Sequence, residues 1–239
     1  MKFSIALLVI LIILYTVGVF GHLHQPTYDL MLALTPLFLI LAAVFVILQI
    51  LFSHLRTVHE KRYIMFWFIL CYFIAWFLEY AGVETGAVFG EYSYGTTLGP
   101  KLLGVPLVIG LNWCIIVFAA IETLRVLRLS LFLRLLITPL WIVLFDLVLE
   151  PFAMGKANYW TWANNQVPLQ NYLMWGSVAF VFSIFYIWMV PESDSVSRKN
   201  TSDHNALRSG VPVFFDKYFP GLVGILQFVF IFLLRFFLN

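Results

Sequence analysis

Three carboxylates sit inside otherwise apolar stretches of this chain: Glu79, and Asp146 together with Glu150. Asp146 and Glu150 are four residues apart, so on a helix both side chains leave from one face, with about 6 Å of axial rise between them. An acid in such surroundings is costly unless it faces a cavity or a partner. The bland alternative is a helix end reaching interfacial water, which suits Glu150 beside Pro151 better than Asp146. A loop of alternating aromatics follows each acid: Tyr92-x-Tyr94 after Glu79, and Tyr159-Trp160-x-Trp162 after the pair. In an extended strand this spacing puts alternate rings on one side. Rings so placed line a pocket mouth and stabilise a cation, where the ordinary alternative is an interfacial aromatic belt. Asn112 beside Trp113, and Asn171, join the set as ligand contacts, against the default of buried amides that tie helices together. Glu84 and Glu91 lie in the loop proper and are read as solvated.

The elements that must carry these residues are membrane helices. The chain is 62% hydrophobic and 11% charged, where a soluble domain carries about 25% charged residues. Apolar segments of spanning length, about 20 residues each, fall at 3–20, 29–53, 62–82, 102–122, 131–151, 171–190 and 219–238. The expected fold is therefore all-α, a polytopic bundle of about seven transmembrane helices forming one domain over residues 1–239, with a polar linker at 191–218. Pro36, Pro106 and Pro139 are tolerable where neighbouring helices cover the freed carbonyls. The first segment follows a single Lys without a small-x-small cleavage site and reads as a retained helix.

Lys and Arg set the orientation. Eleven of them (Lys2, Arg56, Lys61, Arg62, Arg125, Arg128, Arg134, Arg198, Lys199, Arg208 and Lys217) fall on the side of the N-terminus, and three (Lys101, Lys156 and Arg235) on the other. The N-terminus and the 191–218 linker are thus expected in the cytoplasm, and the acids near the outer face. Glu122 belongs to the inner side, with Arg125 as a ready helical partner.

Several function classes drop out. A net charge of +2 with dispersed basic residues gives nucleic acid no purchase. Cys71 and Cys114 lie in apolar runs and read as small core residues. His22, His24, His54 and His59 flank helix ends and read as interfacial, and His22-x-His24 is too weak a signal for a metal site. The last segment, 219–238, has no Lys for a retinal Schiff base. No phosphate-binding, dinucleotide or serine-nucleophile motif occurs in a usable context, nor any Asp-rich diphosphate–metal motif. No metal or cofactor is expected.

Glu79, Thr85-Gly86, Phe89-Gly90, Tyr92-x-Tyr94, Leu98-Gly99-Pro100, Gly104-Val105-Pro106 and Trp113, followed by Asp146-x-x-x-Glu150-Pro151, Tyr159-Trp160-x-Trp162, Val167-Pro168 and Asn171, run in order over roughly 100 residues. Together they resemble the carotenoid hydratase family, integral membrane proteins of the bisanhydrobacterioruberin hydratase and γ-carotene hydratase type. The first two helices and the last resemble that family only in hydropathy. The resemblance implies addition of water to the terminal double bond of an acyclic ψ-end carotenoid, giving a tertiary alcohol in the cell membrane. It also implies a long polyene, water and the bilayer as partners, with other enzymes of carotenoid biosynthesis as possible neighbours. It assigns no catalytic residue.

That chemistry suits the residues. Protonating a trisubstituted alkene gives a tertiary carbocation, which needs a neutral carboxylic acid, a base for water and a cation-tolerant surface. A carboxyl pair sharing one proton supplies acid and base together. Asp146 with Glu150, or either with Glu79, is the expected pair, and Tyr92, Tyr94, Trp160 and Trp162 the expected surface. A reading of a different class makes the protein a proton- or cation-coupled transporter, or a lipid-binding membrane protein, with the two similar hairpins as its repeats. Glu79, Tyr92-x-Tyr94, Val105-Pro106-Leu107 and Asn112 match Asp146 or Glu150, Trp160-x-Trp162, Val167-Pro168-Leu169 and Asn171 in order of residue type, which reads as a degenerate internal repeat, the bland alternative being that interfacial aromatics and Pro at helix starts recur by composition alone. A repeat of that kind should bring Glu79 and Asp146 to one shared cavity, within about 10 Å of each other, a gap that one substrate end and a water bridge.

Overall fold

A chain this apolar has to close its backbone hydrogen bonds within each segment. The computed structural model, which describes residues 2–190 and 210–238, does so with helices. Seven are long and apolar enough to cross a membrane: α1 (Lys2–Leu23), α2 (Gln25–Phe52), α3 (Val58–Thr85), α4 (Val108–Val126), α5 (Leu131–Met154), α6 (Leu169–Met189) and α7 (Gly210–Leu238). Local chemistry sets their ends. Thr57 and Glu60 form a reciprocal capping box at the start of α3, and Gly86, at φ 65°, takes the left-handed position that stops it.

Helix α4 is the axis of the bundle: 83% of its apolar core window is buried, against 22–39% in the other six. Small residues let α7 lie close along it. A Cβ added at Gly224 would stand 2.8 Å from Ala119 Cβ, and one at Gly221 2.5 Å from Thr123 Oγ1. Two prolines inside helices leave carbonyls that neighbouring helices take up. Pro151 has no N–H for Leu147 O, which accepts from Arg235 Nη1 at 2.9 Å; Pro220 has none for Asp216 O, which accepts from Gln49 Nε2 at 2.9 Å.

The two largest boundary differences from the sequence expectation are at the starts of α4 and α7. The fourth segment was placed at 102–122, but its first residues form a two-stranded turn, β2 (Lys101–Leu102) against β3 (Val105–Pro106), and the helix starts at Val108. Leu103 and Gly104, at φ 49° and 80°, make the tight reversal, so Gly104-Val105-Pro106 closes a hairpin instead of opening a helix. The last helix begins at Gly210 and so takes in the final residues of the expected 191–218 linker, Lys217 among them, where Asp216 is held by Ser4 of α1, Gln49 of α2 and Ser53 at the end of α2. Residues 191–209 of that linker lie outside the described residues.

The loops after α3 and α5 also meet. β1 (Tyr92–Tyr94) pairs antiparallel with β4 (Trp160–Trp162), with Tyr92 opposite Trp162, Ser93 opposite Thr161 and Tyr94 opposite Trp160. Ser93 and Thr161 are exposed, and the four rings turn into the bundle.

Candidate active site

Beneath this two-stranded cap lies an apolar cavity of about 210 Å³, walled by every helix except α3 and α6 along its length and by those two at its capped end. The expected site residues Glu79, Glu150, Tyr92, Tyr94, Asn112, Trp113, Tyr159, Trp160, Trp162 and Asn171 all line it. Asp146 does not. It is fully buried behind the wall, so the cavity shared by the two hairpins holds Glu79 and Glu150, and the expected Glu79–Asp146 pairing is corrected. The reason is axial position and not phase: Asp146 leaves the same face of α5 as Glu150 but one turn earlier, where Asn171 of α6 covers its carboxyl.

Each cavity carboxyl is held by the aromatic strand of its own hairpin. Glu79 Oε2 accepts from Tyr92 and Tyr94 hydroxyls at 2.5 and 2.7 Å, and Oε1 from Trp113 Nε1 at 2.9 Å. Glu150 Oε2 accepts from the indoles of Trp160 and Trp162 at 3.0 and 2.9 Å. Asn171 Nδ2 donates to Asp146 Oδ2 at 2.6 Å and reaches Glu150 Oε1 at 3.3 Å, so one amide ties the two acids of α5 together. Burial and the Glu79 carboxyl hold the Tyr92 and Tyr94 phenols well above their ordinary range, which keeps both as donors. Burial likewise pushes Tyr159 up to about 12.

Among the described residues no ion pair reaches these three acids. Their donors are neutral. Asp146 Oδ1 has no hydrogen-bond partner among the described residues, so it can carry a proton without displacing a donor. Above the acids, Tyr92 stacks at a tilt on Trp162 with centroids 5.0 Å apart, and Tyr94 meets Trp160 edge-on at 6.1 Å. A positive charge between the carboxyls would lie against ring faces and anionic oxygens together. Among the described residues no cluster of three His, Cys, Asp or Glu side chains suits a metal ion.

Three cavity residues escaped the sequence reading. Trp175 packs on Trp113 at 4.2 Å between centroids. It stands six residues after Leu169, as Trp113 stands six after Leu107, so the hairpin comparison contained its signal. Asn112 and Asn171, by contrast, are not equivalent: Asn112 accepts from Gln227 of α7, whereas Asn171 serves the acids. Gln227 had no such signal in an apolar run. His22, read as interfacial, is buried in the cavity wall; His24, His54 and His59 are exposed, as read.

The sequence profile of a family described as carotenoid biosynthesis protein matches residues 34–233. A bisanhydrobacterioruberin hydratase from Haloarcula japonica is 38% identical over 119 residues, which cover 45% of this chain and 40% of that protein. The match thus spans well under half of that relative's length. No solved structure matches the chain. The profile takes in α3 to α6 whole, with every residue of the cavity's acid end, and on that match the chain belongs to the carotenoid biosynthesis protein family.

Proposed function

We propose that the protein is a carotenoid hydratase, adding water to the terminal double bond of an acyclic ψ-end carotenoid by acid catalysis. The observation that carries this reading is the pair of buried carboxyls, Glu79 and Glu150, set under four aromatic rings in the wall of one apolar cavity. The named relative, a hydratase of a carotenoid, supports the substrate class. Asp146 and Glu150 share one proton beside Asn171, and Glu150 delivers it to the CH carbon of the terminal double bond. The π pair forms the new C–H bond and leaves a tertiary cation, which Glu79, Tyr94 and Trp160 stabilise. Water adds its lone pair to the cation, and the oxonium proton returns to the carboxylate of the α5 pair. Atoms balance as one water gained and no cofactor consumed.

The test is mass analysis of pigments from cells making an acyclic carotene, with and without this chain. A product heavier by one water is expected; unchanged pigment with the protein present in membranes would sink the reading. The same proposal places all seven helices in one membrane unit with the N-terminus cytoplasmic, on the eleven-to-three distribution of Lys and Arg. Reporter fusions after Asn164 and after Asn200 should then light up opposite sides, and a common side would reverse the assignment.

A further inference from the structure

His22 of α1 and Gln227 of α7 stand on a different wall from the carboxyl-bearing helices, and the steps above give neither a task. Each is 4% exposed. Each carries an acceptor without a partner among the described residues, His22 Nε2 and Gln227 Oε1. The remaining polar atom of each is committed. His22 Nδ1 lies 2.7 Å from Gly18 O, which only accepts, so Nδ1 bears the hydrogen and Nε2 presents a lone pair. Gln227 Nε2 donates to Asn112 Oδ1 at 2.8 Å, which leaves Oε1 open. The His22 ring is set edge-on against Tyr28, Phe152 and Phe230, at 5.8 to 6.0 Å, and Phe230 lies about one helical turn beyond Gln227. His22, Gln227 and Phe230 all line this cavity.

Two buried acceptors call for a ligand that donates. A hydrocarbon polyene has no donor, whereas water has two hydrogens to give. Elsewhere the cavity offers water little: its walls are apolar, and the carboxyl oxygens that face it are occupied by Tyr, Trp and Asn donors. We propose that His22 Nε2 and Gln227 Oε1 form an acceptor pair that holds the water consumed in the hydration, an inference that rests on the hydratase reading. Held through its hydrogens, the water keeps its oxygen lone pair free for the cation. The C–O bond forms from that lone pair, and the proton released passes to the α5 carboxylate, directly or through a second water. Both residues are positioning residues, since neither gives up nor keeps a proton over the cycle.

The test separates capture of the cation from its formation. Membranes with the wild-type chain, His22→Phe or Gln227→Met receive an acyclic carotene in D2O. Mass spectrometry of one extract reads the hydrated product and also the deuterium washed into recovered carotene, which reports protonation followed by proton loss. Both signals come from the same folded molecules, so their ratio is independent of how much protein accumulates. The expected result is a ratio of hydrated to exchanged carotene about five- to tenfold lower in each variant, the size of a lost hydrogen bond. A ratio unchanged from wild type, whether both signals persist or both fall together, overturns the pair as water holders; the second case would instead mark a contact to the polyene. Absence of hydrated product from the wild-type chain would strike the hydratase reading itself.

Discussion

The bundle buries two groups of acids, one toward each end of α4, and they are built on opposite terms. Away from the cavity, Glu122 takes the guanidinium of Arg56, that of Arg125 at 3.3 Å and the hydroxyl of Tyr186 at 2.5 Å, while Arg125 also reaches Glu60 at 3.4 Å. Two cations there face two carboxylates. At the cavity, Glu79, Asp146 and Glu150 have, among the described residues, only phenol, indole and amide donors. A buried charge whose partner is an opposite charge is closed: it fixes the turn after α2 against α4 and α6 and has nothing to offer a ligand. Acids held by neutral donors are not closed in this way, and under the proposed hydration they are the ones with a proton to trade. Counting buried acids would rank the two groups alike, and only the sign of their neighbours separates a clamp from a reagent.

That contrast breaks most sharply with paired amides. Glu150→Gln should lower hydrated product by about a thousandfold or more while the protein still accumulates, because the amide fills the same space and cannot deliver a proton. Glu122→Gln should do the reverse. It leaves the Arg56 guanidinium without its carboxylate in a buried site, a loss of about 3–5 kcal/mol, so membrane levels and the thermal midpoint in detergent should fall while turnover per folded molecule holds. Equal turnover losses in the two variants would erase the distinction. Both are read from the same pair of measurements, pigment mass and folded yield.

How much of this was readable beforehand follows from what an apolar helix can hide. Glu79, Asp146 and Glu150 stood out because a carboxylate in a spanning segment has few bland explanations, and the Tyr-x-Tyr and Trp-x-Trp spacings announced one-sided strands that the structure pairs residue for residue. The direction each acid faces was not legible. In α5 the lipid side, with Leu140, Leu144 and Leu147 exposed, and the core side, with Ile142, Phe145 and Leu149 buried, use the same residue types, so periodicity does not tell a core face from a lipid face. His22 was hidden for a related reason. A histidine at a helix end next to His24 looks interfacial, and only the packing of α1 on α7, with Phe230 against the ring, shows it buried. The start of α4 failed on local chemistry: Leu103 adopts a positive φ that its residue type does not advertise.

The smallest of these effects, and the one that sharpens the comparison most, concerns the acid that left the cavity. Asp146 touches no ligand space, yet its Oδ1 is open and its Oδ2 is tied through Asn171 to Glu150. If it only anchored Asn171, Asp146→Asn would be almost silent, since the side-chain carbonyl of an Asn at this position accepts the same bond. If it shares its proton with Glu150, the amide ends the sharing while the geometry survives. Turnover should then fall about ten- to a hundredfold, the range for a hydrogen bond to a charged group, with KM for the carotene unchanged because the cavity wall is untouched. That split is informative because a packing fault would disturb both parameters. Wild-type turnover in Asp146→Asn would make Asp146 a clamp of the Glu122 kind, leaving Glu150 and Glu79 to divide acid and base between them.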